Sequence, residues 1–203
     1  MVKKRVAVLI SGRGSNMAAL IEAAKTDDYP AEVALVVSNR ADAAGLGHAR
    51  GHGVATALID HREFGEDREA FERALDEILR ANRIEIVCLA GFMRVLTPWF
   101  VARWSGRLLN IHPSLLPDFK GLDTHRRAIA AGAKHHGATV HFVVAEIDAG
   151  PVIAQEAIDV RNDDTEAALA KRVLEVEHRL YPRALREVAA GRAKLSTSRA
   201  ENG

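Results

Sequence analysis

"RVAVLISGRGSN", residues 5–16, joins an unbroken apolar run to a turn containing two glycines. An apolar run without alternation is the pattern of a strand buried on both faces. The glycines make a tight turn, and "SNMAALIEAAK" (15–25) continues in a helical pattern. Strand, glycine turn and helix form the first unit of an open α/β sheet. Backbone N–H groups at the start of such a helix bind anions, and glycine lets the backbone come close. A dinucleotide fingerprint would need a third glycine where Met17 stands. It would also need an acid closing the second strand, where Ser38, Asn39 and Arg40 stand. A P-loop would need Gly-Lys-Ser/Thr, which is absent. The turn therefore fits a phosphate monoester or a similar small anion; a plain βα turn with no ligand would read the same.

The same alternation continues along the chain. Further strands are expected at 31–39, 54–60, 84–92 and through "RLLNIHP". Helices are expected at 41–53, 67–82, 97–104 and 123–132. Helix 67–82 is apolar at Phe71, Leu75, Ile78 and Leu79. Thr97 and Pro98 suit the cap and first position of the next helix. Two strands, 137–144 and 151–160, joined through "AEIDAG", predict an antiparallel hairpin at the end of the sheet. A long helix over 164–191 follows, with Pro182 inside it, and then a polar tail. The fold class is α/β: a doubly wound, mostly parallel sheet with helices on both faces, an antiparallel C-terminal hairpin and a long C-terminal helix. One domain over 1–195 is expected, with 196–203 as a disordered tail.

Composition narrows the function. Of 203 residues, 28 are Lys or Arg and 27 are Asp or Glu, so the net charge of +1 gives no electrostatic case for nucleic acid. No apolar run is long enough to span a membrane. A single cysteine, Cys88, excludes an internal disulfide and suits a cytoplasmic location. In "IEIVCLAGF" it reads as a small buried hydrophobe. The nine histidines show no HxH or HExxH spacing, and His136 and His141 have opposite parity on their strand, so no metal is expected. His48, His52, His61 and His125 read as surface or loop residues.

"RLLNIHPSLLP" (107–117) carries the chemistry. Asn110 and His112 are two apart and share one face of a strand that Pro113 must end. Open α/β sheets keep their sites at such strand ends. The hairpin loop "EIDAGP" (146–151) supplies a carboxylate, Asp148, expected to face that strand end. An amide, an imidazole and a carboxylate suit acyl transfer: the amide holds a tetrahedral oxyanion, and the imidazole moves protons near neutral pH. The carboxylate orients the imidazole and is expected to raise its pKa. No Ser or Cys completes a triad, since Ser114 follows Pro113 and points elsewhere, so direct transfer is favoured over a covalent intermediate. A buried Asn and His satisfied by backbone would give the same pattern.

"SGRGSN", "LAGFMRVL", "LLNIHPSLLP", "HGATVHFV" and "IDAGPVIAQE", in this order, closely resemble folate-dependent formyltransferases, and among them the phosphoribosylglycinamide formyltransferases of purine biosynthesis. The resemblance runs from Val6 to about Ala190. It implies a Rossmann-like formyltransferase sheet with an N-terminal nucleotide-binding part and a C-terminal folate-binding and catalytic part. By resemblance, Asn110, His112 and Asp148 are catalytic, and Gly14, Ser15, Asn16 and Glu177 bind the ribonucleotide. Arg68 resembles a folate contact. Met93, Arg94, Val95 and Leu96 resemble one wall of the pterin pocket, and Val144, Ala145, Glu146, Ile147 and Asp148 the loop that closes it, with Asn110 also against the folate. The implied cosubstrate is 10-formyltetrahydrofolate, the implied acceptor glycinamide ribonucleotide, and the implied assembly a monomer or homodimer without nucleic acid, membrane or metal.

Overall fold

A computed structural model describes residues 2–195; the tail expected over 196–203 lies outside the described residues. Seven strands form one sheet: β1 (Lys4–Ile10), β2 (Ala31–Ser38), β3 (Ala55–Leu58), β4 (Ile86–Leu89), β5 (Leu108–His112), β6 (His135–Phe142) and β7 (Val152–Asp159). The α-helices among the described residues are α1 (Ser15–Ala24), α2 (Ala44–Gly51), α3 (Arg68–Ala81), α4 (Pro98–Arg103), α5 (Thr124–Ala130) and α6 (Glu166–Ala189). A 3₁₀ turn over His61–Phe64, which the sequence pattern did not single out, leads into α3. The strand order is β3-β2-β1-β4-β5-β6-β7. Pairing is parallel from β3 to β5, and β6 and β7 are antiparallel. The direction of winding reverses between β1 and β4, the switch point where such sheets bind ligands.

Alternate residues of each strand enter opposite layers. Val6, Val8 and Ile10 join Met17 and Leu20 of α1 and Leu180 of α6. Ala7 and Leu9 join Phe71, Leu75 and Leu79 of α3 with Phe100 and Trp104. Cys88 is fully buried, and burial pushes its thiol up to about 12, as expected for an inert core residue. Tyr181 of α6 reaches through the core, its hydroxyl donating to the carbonyls of Leu89 (3.0 Å) and Leu109 (3.2 Å). Pro182 falls inside α6, and its carbonyl accepts from the Tyr29 hydroxyl at 2.7 Å. Strand 84–92 is shorter than expected: the ladder stops at Leu89, and Gly91 turns the chain at φ 71°.

The same alternation positions the site. Leu109 and Ile111 of β5 enter the layer of α6, while Leu108 enters that of α3, so Asn110 and His112 share its face. Helix α6 covers β6 and β7 on one side only. On the other side, loops 113–123 and 143–151 lie where a helix would. Phe142 pairs with Leu109, and Val143 N–H donates to the Leu108 carbonyl at 2.9 Å. Strand β6 therefore leaves the sheet beside the start of β5, not beside its end. The hairpin loop reaches His112 by folding back along the sheet face, which brings Asp148 to the strand end that carries His112.

The glycine turn after β1 is held by α2. Gly45 N–H donates to the Gly12 carbonyl at 3.0 Å. A Cβ at Gly45 would lie 2.5 Å from Ile10 Cδ1, 3.1 Å from the Gly12 carbonyl oxygen and 3.2 Å from that of Arg13. Gly45→Ala should therefore push α2 off the turn and cost about 1–3 kcal/mol, the usual range for overpacking. A urea unfolding curve measures this, and an unchanged midpoint would contradict the contact.

Candidate active site

Three groups of side chains lie beyond the carboxyl ends of β1, β4 and β5, which are neighbours in the sheet. The first is the glycine turn. Gly14 adopts φ 75°, a left-handed conformation that suits glycine, and α1 begins at Ser15. Asn16 Nδ2 donates to Glu177 Oε2 at 2.5 Å, joining α1 to α6. Glu177 is buried, and burial raises its pKa against the opposing effect of the Asn16 amide. Asn16 Oδ1 is buried and has no partner among the described residues. Buried acceptors are almost always paired, so this one is open to a donor from outside the chain. Gly14, Ser15, Asn16 and Glu177 are thus brought together.

The second group follows β4. Arg68, at the start of α3, donates to the Val95 carbonyl. The Arg94 guanidinium sits 5.3 Å from the centre of the Phe71 ring. Met93 and Val95 are 70% and 55% exposed, unusual for large apolar side chains. Leu96 packs on the α3 layer. Arg68 and the segment 93–96 are therefore in contact, with an apolar surface turned outward.

The third group centres on His112, buried at the end of β5. Its Nδ1 lies 3.4 Å from Asp148 Oδ2, and its Nε2 donates to the Phe119 carbonyl at 3.0 Å. Phe119 holds that carbonyl in place with φ 54°, a rare conformation for a bulky residue. Asp148 is also left-handed, at φ 51°, which Asp tolerates better than most residues. Its Oδ2 accepts from Gly121 N–H at 2.9 Å, and Lys120 pairs with Glu146 at 2.9 Å, so the two loops over the sheet face are tied together. Val144, Ala145 and Ile147 fill the rest of this loop; Ile147 is exposed.

Sequence reasoning missed His141. In the β5–β6 ladder it pairs directly with Asn110, and its Nε2 lies 3.2 Å from Asn110 Nδ2. Its Nδ1–H donates to the Phe142 carbonyl at 2.9 Å. Asp148 Oδ1 lies 3.7 Å from His141 Nε2. His125 is also corrected: it is half-buried on α5, with Nδ1 3.2 Å from Nε2 of the fully buried His136. The edge of the His136 ring meets the Phe119 ring.

Electrostatics overturn one expectation. Burial is the largest influence on His112 and lowers its pKa, although the Phe119 carbonyl and Asp148 both pull it upward. The expected rise from Asp148 is present, but burial outweighs it. Asp148 shows the reverse balance. Burial would raise its pKa, but the His141 side chain, Gly121 N–H and nearby His112 together hold it below the ordinary carboxylate value. His136 is pushed down to about 4, chiefly by burial and then by the neighbouring His125 and His112.

Between about pH 4 and 6.5 the unfolded chain binds a proton at His136 that the folded chain does not. Stability should therefore fall as pH drops through that window, by roughly 3 kcal/mol from this residue. His125 and His112 are shifted the same way and add to the slope. Denaturation of His136→Gln across the window should give a clearly shallower pH dependence; an unchanged slope would contradict the shift.

Fold and site define an open, doubly wound α/β protein with a candidate acyl-transfer site beyond the carboxyl ends of its parallel strands. The formyl transferase family model matches residues 4–185, and the chain belongs to that family. A phosphoribosylglycinamide formyltransferase of Escherichia coli is 47% identical over 94% of this chain and 89% of its own length. The trifunctional purine biosynthetic protein adenosine-3 of Gallus gallus is 49% identical over 95% of this chain, which spans only 19% of that longer protein. The crystal structure of a phosphoribosylglycinamide formyltransferase from Brucella melitensis superposes with a TM-score of 0.89 at 48% identity, covering 96% of this chain and all of the other. The expected fold, with its antiparallel hairpin and long C-terminal helix, is the one observed.

Proposed function

We propose that this protein transfers the formyl group of 10-formyltetrahydrofolate to the amine of glycinamide ribonucleotide, giving formylglycinamide ribonucleotide and tetrahydrofolate. One observation carries it: Asp148, distant in sequence from Asn110 and His112, meets them on one face of β5, with His112 Nδ1 3.4 Å from Asp148 Oδ2. The names of the similar proteins support the same substrates. The open Asn16 acceptor, the left-handed Gly14 and the buried Glu177 form a polar cradle suited to the ribonucleotide. The exposed Met93, Val95 and Ile147 offer apolar contacts suited to a pterin ring, with Arg68 and Arg94 nearby. Residues 1–195 act as a single domain.

The amine nitrogen attacks the formyl carbon and a tetrahedral oxyanion forms. The Asn110 amide donates to that oxyanion, reorienting from His141 to do so. His112 starts neutral and takes the proton that the attacking amine loses, so that it is charged as the oxyanion develops beside it, an interaction strongest in the transition state. Asp148 steadies that charge and orients a water that passes the proton from His112 on to the departing folate nitrogen. The bond from carbon to that nitrogen breaks, and no covalent enzyme intermediate forms.

Tetrahydrofolate release in the presence of both substrates tests this function. Asn110→Ala should slow turnover by about 10²–10³-fold, as for loss of one oxyanion donor. His112→Ala should slow it by about 10²–10⁴-fold. Asp148→Asn should lower kcat with the Michaelis constants nearly unchanged, since the loss falls in the transition state. Losses below tenfold in folded variants would make all three structural, and an inactive wild-type protein would end the proposal.

A further inference from the structure

The segment between β4 and α4, residues 90–97, has no regular secondary structure, yet its two ends are fixed by buried polar groups from elsewhere in the chain. At the first end stands Ser11, one residue past β1 and 7% exposed. Its hydroxyl accepts from Met93 N–H at 2.8 Å and donates to Asn39 Oδ1 at 2.6 Å. Asn39, at the end of β2, is itself buried, and its carbonyl oxygen lies 2.8 Å from His61 Nδ1. Ser11 N–H completes the junction by donating to the Gly91 carbonyl at 3.1 Å. At the second end stands Glu72 of α3, only 1% exposed. One carboxylate oxygen accepts from Thr97 N–H at 2.7 Å, and the other accepts from the Thr97 hydroxyl. Thr97 spends its hydroxyl here and not on capping α4, which starts with no side-chain cap bond.

A buried carboxylate is costly unless both oxygens are occupied, and a buried hydroxyl that both donates and accepts fixes its neighbours' positions. Between these anchors the strap turns Met93 and Val95 outward. The first anchor also adjoins the glycine turn, since Ser11 directly precedes Gly12. We propose that Ser11 and Glu72 are positioning residues that hold the strap 93–96 in its ligand-binding shape, with Ser11 linking the folate wall to the ribonucleotide cradle at the switch between β1 and β4. This rests on the reading above that the strap lines the folate site. Neither residue touches substrate; each acts through a backbone N–H of the strap.

The test uses the full chain with Ser11→Ala, Glu72→Ala and Glu72→Gln. Leaving Met93 N–H or Thr97 N–H without its side-chain acceptor frees the strap at that end and should raise the Michaelis constant for 10-formyltetrahydrofolate about tenfold. The constant for glycinamide ribonucleotide should change less than twofold. Glu72→Gln should stay within about threefold of wild type, because an amide can still accept from Thr97 N–H and donate to its hydroxyl. Calorimetry with tetrahydrofolate alone should show the same selective loss. Amide hydrogen exchange at Met93 should accelerate in Ser11→Ala, and at Thr97 in Glu72→Ala, whichever substrates the wild-type protein uses. Equal rises for both substrates, or a lowered melting temperature with unchanged folate binding, would overturn the proposal, as would unaltered exchange at both amides. An inactive wild type with accelerated exchange in the variants would overturn the folate reading on which the proposal rests, while the anchors themselves stand.

Discussion

Antiparallel pairing of β5 with β6, in a sheet that is parallel up to that point, determines which side chains can meet. The register sets Asn110 opposite His141 and His112 opposite Thr139, so four polar residues share one face of the sheet. Thr139 then holds the loop after β5: its hydroxyl donates to the Ser114 carbonyl at 2.7 Å and accepts from Leu116 N–H at 3.1 Å. Gln155 of β7 bonds the Leu116 carbonyl and the same hydroxyl, at 2.9 and 2.8 Å. A slip of one residue would turn every one of these groups to the opposite face. Gly137 and Gly150 guard the register. A Cβ at the first would lie 2.0 Å from the Glu156 carbonyl oxygen, and at the second 1.7 Å from that of Phe142.

Within this frame His112 has an acceptor at each ring nitrogen, Asp148 on one side and the Phe119 carbonyl on the other. Only the charged ring satisfies both, and burial opposes the charge. The folded protein thus holds an imidazole that is neutral at rest and surrounded by groups ready to stabilise it once charged. In the proposed reaction the developing oxyanion tips that balance. This is preorganisation: the oxygens are in place before charge appears, and little rearrangement is needed when it does.

Much of this was legible in the chain. The unbroken run in β1, the apolar face of α3 and the parity of Asn110 and His112 are local patterns, and local patterns survive without knowledge of the fold. Asp148 could be named because its loop is short and, of its two carboxylates, Asp148 lies nearer the loop's glycine. His141 could not, because its role comes from a cross-strand register that joins residues 31 apart. The usable signal was that His141 shares parity with Thr139 and Gly137 on a strand already expected at the antiparallel end of the sheet. The lowered His112 pKa was missed for a related reason: a carboxylate is visible in sequence, whereas the burial that outweighs it is a property of packing. Ser11 and Glu72 escaped because both act on backbone groups, which no residue pattern marks.

The measurement that bears most directly on this account is the imidazole NMR titration of His112 in the wild-type protein and in Asp148→Asn. The account predicts a wild-type pKa below the ordinary value of about 6.5, and a lower one still when the carboxylate charge is removed. A wild-type value above 6.5 that does not move in Asp148→Asn would contradict it, showing that neither burial nor Asp148 governs the imidazole at the end of β5.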